Sequence, residues 1–174
     1  MDKIKELRYK KTRQQLRYVQ LELEETKLVY ENCVDKFNIE FKDELFDTKE
    51  EHKEEVENPF FKIKTTVDEK TINDIYKRIA VKVHPDKQTG DEETFKILNR
   101  ANKNKDYGLM MNMADELNIK IKNDDVNYNN NKKQIRALIE TIKDMQMTFA
   151  WQWEHIEENQ KPAYRDYILK QMEI

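Results

Sequence analysis

His84 and Asp86, separated only by Pro85, are residue types that can trade a proton, and a histidine beside a carboxylate is the first arrangement to test for acid–base chemistry. The intervening ring argues against that chemistry. Proline fixes its own φ and biases the preceding residue out of the helical region, so the triplet reads as a stiff, extended loop whose two polar side chains point apart. No Ser or Cys stands with them in a recognisable nucleophile motif, and no enzymatic activity is expected. Metal binding is equally poorly served: His52, His84 and His155 fall in three different segments, Cys33 lies in the first of these, and none of them forms a ligand pair by spacing. Neither a metal nor any other cofactor is expected. A rigid loop with two exposed polar groups is better suited to docking, because it loses little entropy on binding.

The loop must be held by helices on either side. Thr66-Val67-Asp68-Glu69 has the form of a capping box and opens a helix whose apolar residues Ile72, Ile75, Tyr76, Ile79, Ala80 and Val83 share one stripe. Lys77, Arg78 and Lys82 lie on its other face, and Lys87 follows the triplet. Gln88-Thr89-Gly90-Asp91 leads into a further helix with Phe95, Leu98 and Ala101 inward. Asp106 is placed to cap another amphipathic segment through Leu109, Met113, Leu117 and Ile119.

Longer helices flank this unit. Residues 3 to 57 contain no Gly or Pro, and Leu16, Val19, Leu23, Thr26, Tyr30, Cys33, Phe37 and Phe41 recur at alternating threes and fours, a coiled-coil-like seam that needs a partner. Thr48-Lys49-Glu50-Glu51 offers a second capping box and a break near Asp47, Asn58-Pro59 ends the region, and Phe60, Phe61 and Ile63 form a short apolar segment. Residues 120–133, with NDDVNYNNN inside, read as a polar connector. The rhythm resumes at Ile135, Leu138, Ile142, Met145, Phe149 and Ile156, Pro162 breaks it, and residues 164–172 form a short terminal helix. The expected division is 1–57, 58–119, 120–133 and 134–174. Two seams flanking a central domain predict an antiparallel pairing of the chain's own ends, preferred on topology over a homo-oligomer in which the same seams join two copies. Trp151 and Trp153, two residues apart, cannot both face one seam; Trp153 is assigned to the core and Trp151 to an interface with a client or partner.

Composition agrees with an all-α fold: 37% apolar and 39% charged residues leave thin cores, and only two Gly and three Pro remain for turns. The single Cys33, set in an apolar stripe, reads as a small buried hydrophobe in a reducing compartment. No apolar run is long enough to cross a bilayer, and Met1-Asp2-Lys3-Ile4 leads into charged helix, so a soluble cytoplasmic protein without membrane association is expected. A net charge of −3 with interspersed signs, and no aromatic stacking platform beside the basic residues, give no reason to expect nucleic acid as a partner. Abundant Lys, Asn and Ile with scarce Gly and Pro point to an AT-rich coding sequence from a lower eukaryote, a bacterium or a large virus. For a virus, the setting would be host cytoplasm or virion.

The run IYKRIAVKVHPDK followed by FKILNRA resembles the J domain of DnaJ-type co-chaperones. Tyr76 and Ile72 match that family's second helix, and Phe95, Leu98, Asn99 and Ala101 match its third. The chain departs from the family at Val83 and Asn102, where aromatics are common, and in FFKIKTTV, which is shorter than the usual first helix and lacks its Gly. It has no Gly/Phe-rich segment and no Cys-x-x-Cys module, so it looks like a divergent member whose specificity lies in its flanks. DYGLMMNMADELNI resembles the extension after the third helix of some small J-domain proteins. The resemblance implies a compact helical J unit. It also implies that His84, Pro85 and Asp86, with Lys77, Arg78, Lys82 and Lys87, dock on a DnaK-type, seventy-kilodalton heat-shock chaperone and stimulate its ATP hydrolysis. In the alternative, the J fold survives as packing in a scaffold protein whose helical seams do the work.

Overall fold

The computed structural model describes residues 3–42, 67–86, 91–122 and 124–171. The capping box at Thr48, the break near Asp47, the stop at Asn58-Pro59, the segment Phe60 to Ile63, His52 and Lys87 lie outside these. Within them the fold is all-α, as the composition predicts: α1 (Lys3–Glu40), α2 (Glu69–Val83), α3 (Glu92–Lys103), α4 (Tyr107–Glu116), α5 (Asp125–Gln146), α6 (Phe149–His155) and α7 (Lys161–Gln171), with a 3-10 turn at Glu158–Gln160. None of the described helices is long and apolar enough to cross a membrane.

Two compact units divide the chain: Met1–Glu22 with Lys62–Glu140, and Leu23–Phe61 with Thr141–Ile174. In the first, α2, α3 and α4 pack on one another. Ile72, Ile75, Ile79 and Val83 of α2 meet a core to which α3 brings Leu98 and Ala101 and α4 brings Tyr107, Met110, Met111, Met113 and Ala114. The predicted capping box at Thr66 gives way to a cap two residues later. The Asp68 carboxylate accepts from the backbone N–H of Thr71 at 2.9 Å and from its hydroxyl at 2.7 Å, and these bonds hold Asp68 below the usual carboxylate range. Asp106 caps α4 as expected, accepting from Leu109 N–H at 3.0 Å.

Scarce glycine shapes the connections. Lys105 after α3 and Asn118 after α4 both take φ of 53°, and the next residue's N–H reaches back five positions in each case: Asp106 to the Ala101 carbonyl, and Ile119 to that of Ala114. These are helix ends of the left-handed type that glycine usually supplies, here built at a cost of about 1 kcal/mol each. Gly108 is used differently: a Cβ there would collide with the Gln20 carboxamide, so glycine lets α1 approach the first turn of α4.

The stretch 120–133 is not a connector along its whole length. Asp124 accepts from Asn127 N–H at 2.9 Å and starts α5 at Asp125, so most of the asparagine run is helical. Asn130, Asn131 and Gln134 are buried, and the Tyr107 hydroxyl donates to Asn131 Oδ1 at 2.6 Å. Burial pushes the Tyr107 phenol far above its usual pKa, so it stays a donor. Tyr107→Phe strands the Asn131 carbonyl, and we expect a loss of about 1–3 kcal/mol in urea unfolding followed by circular dichroism.

The second unit is built around Cys33, Phe37, Phe41, Ala150, Trp153 and Ile168. Every predicted residue of the first seam is buried, including Cys33 as a small hydrophobe. The second seam is interrupted. Thr148 accepts from Trp151 N–H and donates to the Met145 carbonyl, ending α5 and opening α6, so Phe149 and Ile156 are only half-buried. Pro162 sits in the first turn of α7, where its missing N–H costs nothing.

Antiparallel pairing of the chain ends is corrected by the contacts within each unit. Near the start of both helices, Tyr9 of α1 donates to Asp125 at 2.9 Å and packs edge-on against Tyr128 of α5. In the second unit Tyr30 engages Thr148 and Lys36 pairs with Glu154. Residue numbers rise together, the order of a parallel arrangement. An antiparallel pair suits a direct return, whereas here α5 begins beside the start of α1, where Asp125 accepts from Tyr9.

Candidate functional site

The triplet closes α2. His84 donates its N–H to the Ala80 carbonyl at 3.0 Å and leaves the helix at φ −60°, ψ 133°, the extended conformation that the following proline favours. Contrary to the expectation that the two polar side chains diverge, the loop draws them together. Asp86 N–H donates to His84 Nδ1 at 3.3 Å, and Asp86 Oδ2 lies 3.4 Å from the same nitrogen. Accepting at Nδ1 places the neutral ring's proton on Nε2. The Asp86 side chain is 88% exposed, so its field on the imidazole is screened by water. The pair therefore orders the loop.

Helix α3 supports this loop directly at one point and ties to α2 at a second. The His84 ring meets Phe95 edge-on, with centroids 5.0 Å apart and planes at 63°. One turn along α3, Asn99 Oδ1 accepts from the Tyr76 hydroxyl at 2.8 Å. Phe95 and Asn99 are four residues apart and so share a face, which is how one helix carries both contacts. Sequence reasoning assigned Phe95 and Tyr76 to the core. Both are half-buried, one as a platform for His84 and the other as a tie between helices.

The basic face is divided. Lys77 is exposed. Arg78 Nε pairs with Asp74 at 3.0 Å, and its guanidinium reaches the Lys120 carbonyl at 3.5 Å. The Lys82 ammonium donates to the carbonyl of Leu117, the residue that caps the C-terminal end of α4, where orphan carbonyls and the helix dipole favour a cation. No local residue pattern signals these carbonyl partners, because their position depends on the turn at Asn118. Trp153 is buried, with Phe41 edge-on at 4.9 Å. Trp151 is half-buried against the same cluster and stacks on His155 at 4.6 Å, while His155 Nδ1 lies 2.8 Å from the Trp151 carbonyl. Among the described residues no group of His, Cys, Asp and Glu could hold a metal ion.

A rigid His-Pro-Asp turn between two packed helices, backed by a basic helix face, defines the J-domain class. Residues 59–104, about a quarter of the chain, match the family model of the DnaJ domain, so the chain carries a J domain over those residues. J-domain proteins are in general co-chaperones of DnaK-type chaperones. Searches of curated proteins and of solved structures found no match to the chain.

Proposed function

We propose that the protein docks on a DnaK-type chaperone through His84, Pro85 and Asp86 and stimulates its ATP hydrolysis, while its flanking helices direct it to a client or assembly. The observation that carries this reading is the ordered loop, with His84 resting on Phe95 and Asp86 almost wholly exposed. The Asp86 carboxylate accepts a charge-assisted hydrogen bond from a cationic partner group. Lys77 and Lys87 steer the approach of an acidic surface. Arg78 and Lys82 join them by exchanging the carbonyls of Lys120 and Leu117 for partner carboxylates. Trp151, only half-buried, contacts the client. A cytoplasmic, reducing setting fits the single buried Cys33.

The alternative, a scaffold that keeps the J fold without acting on a chaperone, draws support from the same internal engagement of Arg78 and Lys82. Steady-state ATPase measurements on a DnaK-type chaperone separate the two. Stimulation by the wild-type chain is expected, and His84→Gln, which retains the helicity, should reduce it at least about tenfold, as for a hot-spot contact. Equal stimulation by both proteins would remove His84 from the contact and overturn the docking reading, and no stimulation by either would leave the scaffold reading standing.

A further inference from the structure

The seam of α1 is buried, but the opposite side of the same helix carries a second three-four series. Leu7, Lys11, Gln14, Tyr18, Leu21, Glu25, Leu28, Asn32, Asp35 and Ile39 form one stripe. Leu7 and the seam residue Leu16 are nine positions apart, two and a half turns, which puts the two stripes on opposite faces. All ten residues are exposed, and the five apolar ones are between 57% and 76% exposed. Isolated surface apolar residues are ordinary, but five in a heptad register along one helix are not scattered.

Charge along α1 is segregated as well. Residues 3–17 hold seven basic side chains against one acidic, and residues 18–40 hold six acidic against two basic. A parallel copy would set like charges side by side; an antiparallel copy sets the basic half on the acidic half. One antiparallel register also matches the stripe position by position. With Leu7 opposite Ile39, the next pairs are Lys11 with Asp35, Gln14 with Asn32, Tyr18 with Leu28, and Leu21 with Glu25. The first four are an apolar pair, an ion pair, an amide pair and a second apolar pair. Only the central pair is mixed. Because the pairing is symmetric, each occurs twice over an overlap of about 48 Å.

From this match we infer that the outward face of α1 is a homodimer interface, in which two copies of the chain pair antiparallel in the register that sets Lys11 against Asp35. The seam that packs within the chain is not used, so dimerisation leaves both units intact. The occupant is a second copy because both the charge division and the register are self-complementary.

Sedimentation velocity and light scattering on the full chain test this, with circular dichroism as the check on folding. The wild-type chain should pass from monomer to dimer as its concentration rises. Leu28→Glu, an exposed position, should abolish the dimer without loss of helicity. Lys11→Glu and Asp35→Lys should each weaken dimerisation about tenfold, because each places two like-charge pairs in the interface. The double variant Lys11→Glu/Asp35→Lys should recover most of the wild-type affinity, a rescue that a parallel pair cannot give. A chain that stays monomeric up to about 100 μM, in the range of weak association, overturns the inference. So does a dimer indifferent to Leu28→Glu, or a double variant no tighter than either single one.

Discussion

Phe41→Ala is expected to cost about 3–5 kcal/mol, the range for deleting a buried phenylalanine. Phe41 is fully buried immediately after the end of α1. Phe37 stacks on it at 4.4 Å, Trp153 meets it edge-on at 4.9 Å, and the Arg165 guanidinium lies 4.7 Å from its ring centroid. Removal therefore opens a cavity where α1, α6 and α7 converge and takes away the aromatic contacts that orient Trp153. Both tryptophans belong to this unit, so their fluorescence during urea unfolding reports the loss directly. Phe41→Leu retains most of the volume and should recover more than half of the difference. If Phe41→Ala costs less than about 1 kcal/mol, the cluster does not hold the second unit together.

The second large effect is at Ile79, fully buried on α2 one turn before the His84–Asp86 loop. Ile79→Ala is expected to cost about 2–5 kcal/mol and Ile79→Val about 0.5–1.5 kcal/mol. The neighbouring Ala80 carbonyl receives the His84 N–H, so loosening this turn releases the loop's anchor. Chaperone stimulation should fall with the folded fraction and return when the assay is moved to a temperature at which Ile79→Ala is folded. His84→Gln should show no such recovery, which separates loss of the fold from loss of the contact.

The triplet and its two helices were legible because their signals are local, a proline after a histidine and a single apolar stripe on α2, although the cap of α2 falls on Asp68 and not on Thr66. The seam of α1 was legible for the same reason, and each residue predicted on it is buried. The direction of the pairing was not. The three-four spacing of Ile135, Leu138 and Ile142 is the same whether the neighbouring helix runs up or down, so periodicity carries no information about sense. The asparagine run misled through composition. Asn130 and Asn131 are poor helix formers, yet they are buried in α5, where Asp124 caps the helix and Asn131 receives the Tyr107 hydroxyl. The closeness of His84 and Asp86 was hidden by the assumption of an extended loop; a bond from Asp86 N–H to Nδ1 spans only two residues and turns the imidazole back.

The parallel order of contacts bears on how the chain is made. Tyr9 waits for Asp125, Lys36 for Glu154 and Glu40 for Arg165, partners 116, 118 and 125 residues away. Helix α1 is made before its partners, and its seam stays uncovered while more than a hundred further residues are synthesised, because neither unit has its closing strut until α5 and α7 emerge. The α2–α3–α4 core has short separations and can form early, whereas α1 docks late and pays the entropy of closing long loops. A helical protein of this size would ordinarily belong among the fast folders. This one has the connectivity of a slower one, and in the interval it shows an apolar seam to whatever holds nascent chains.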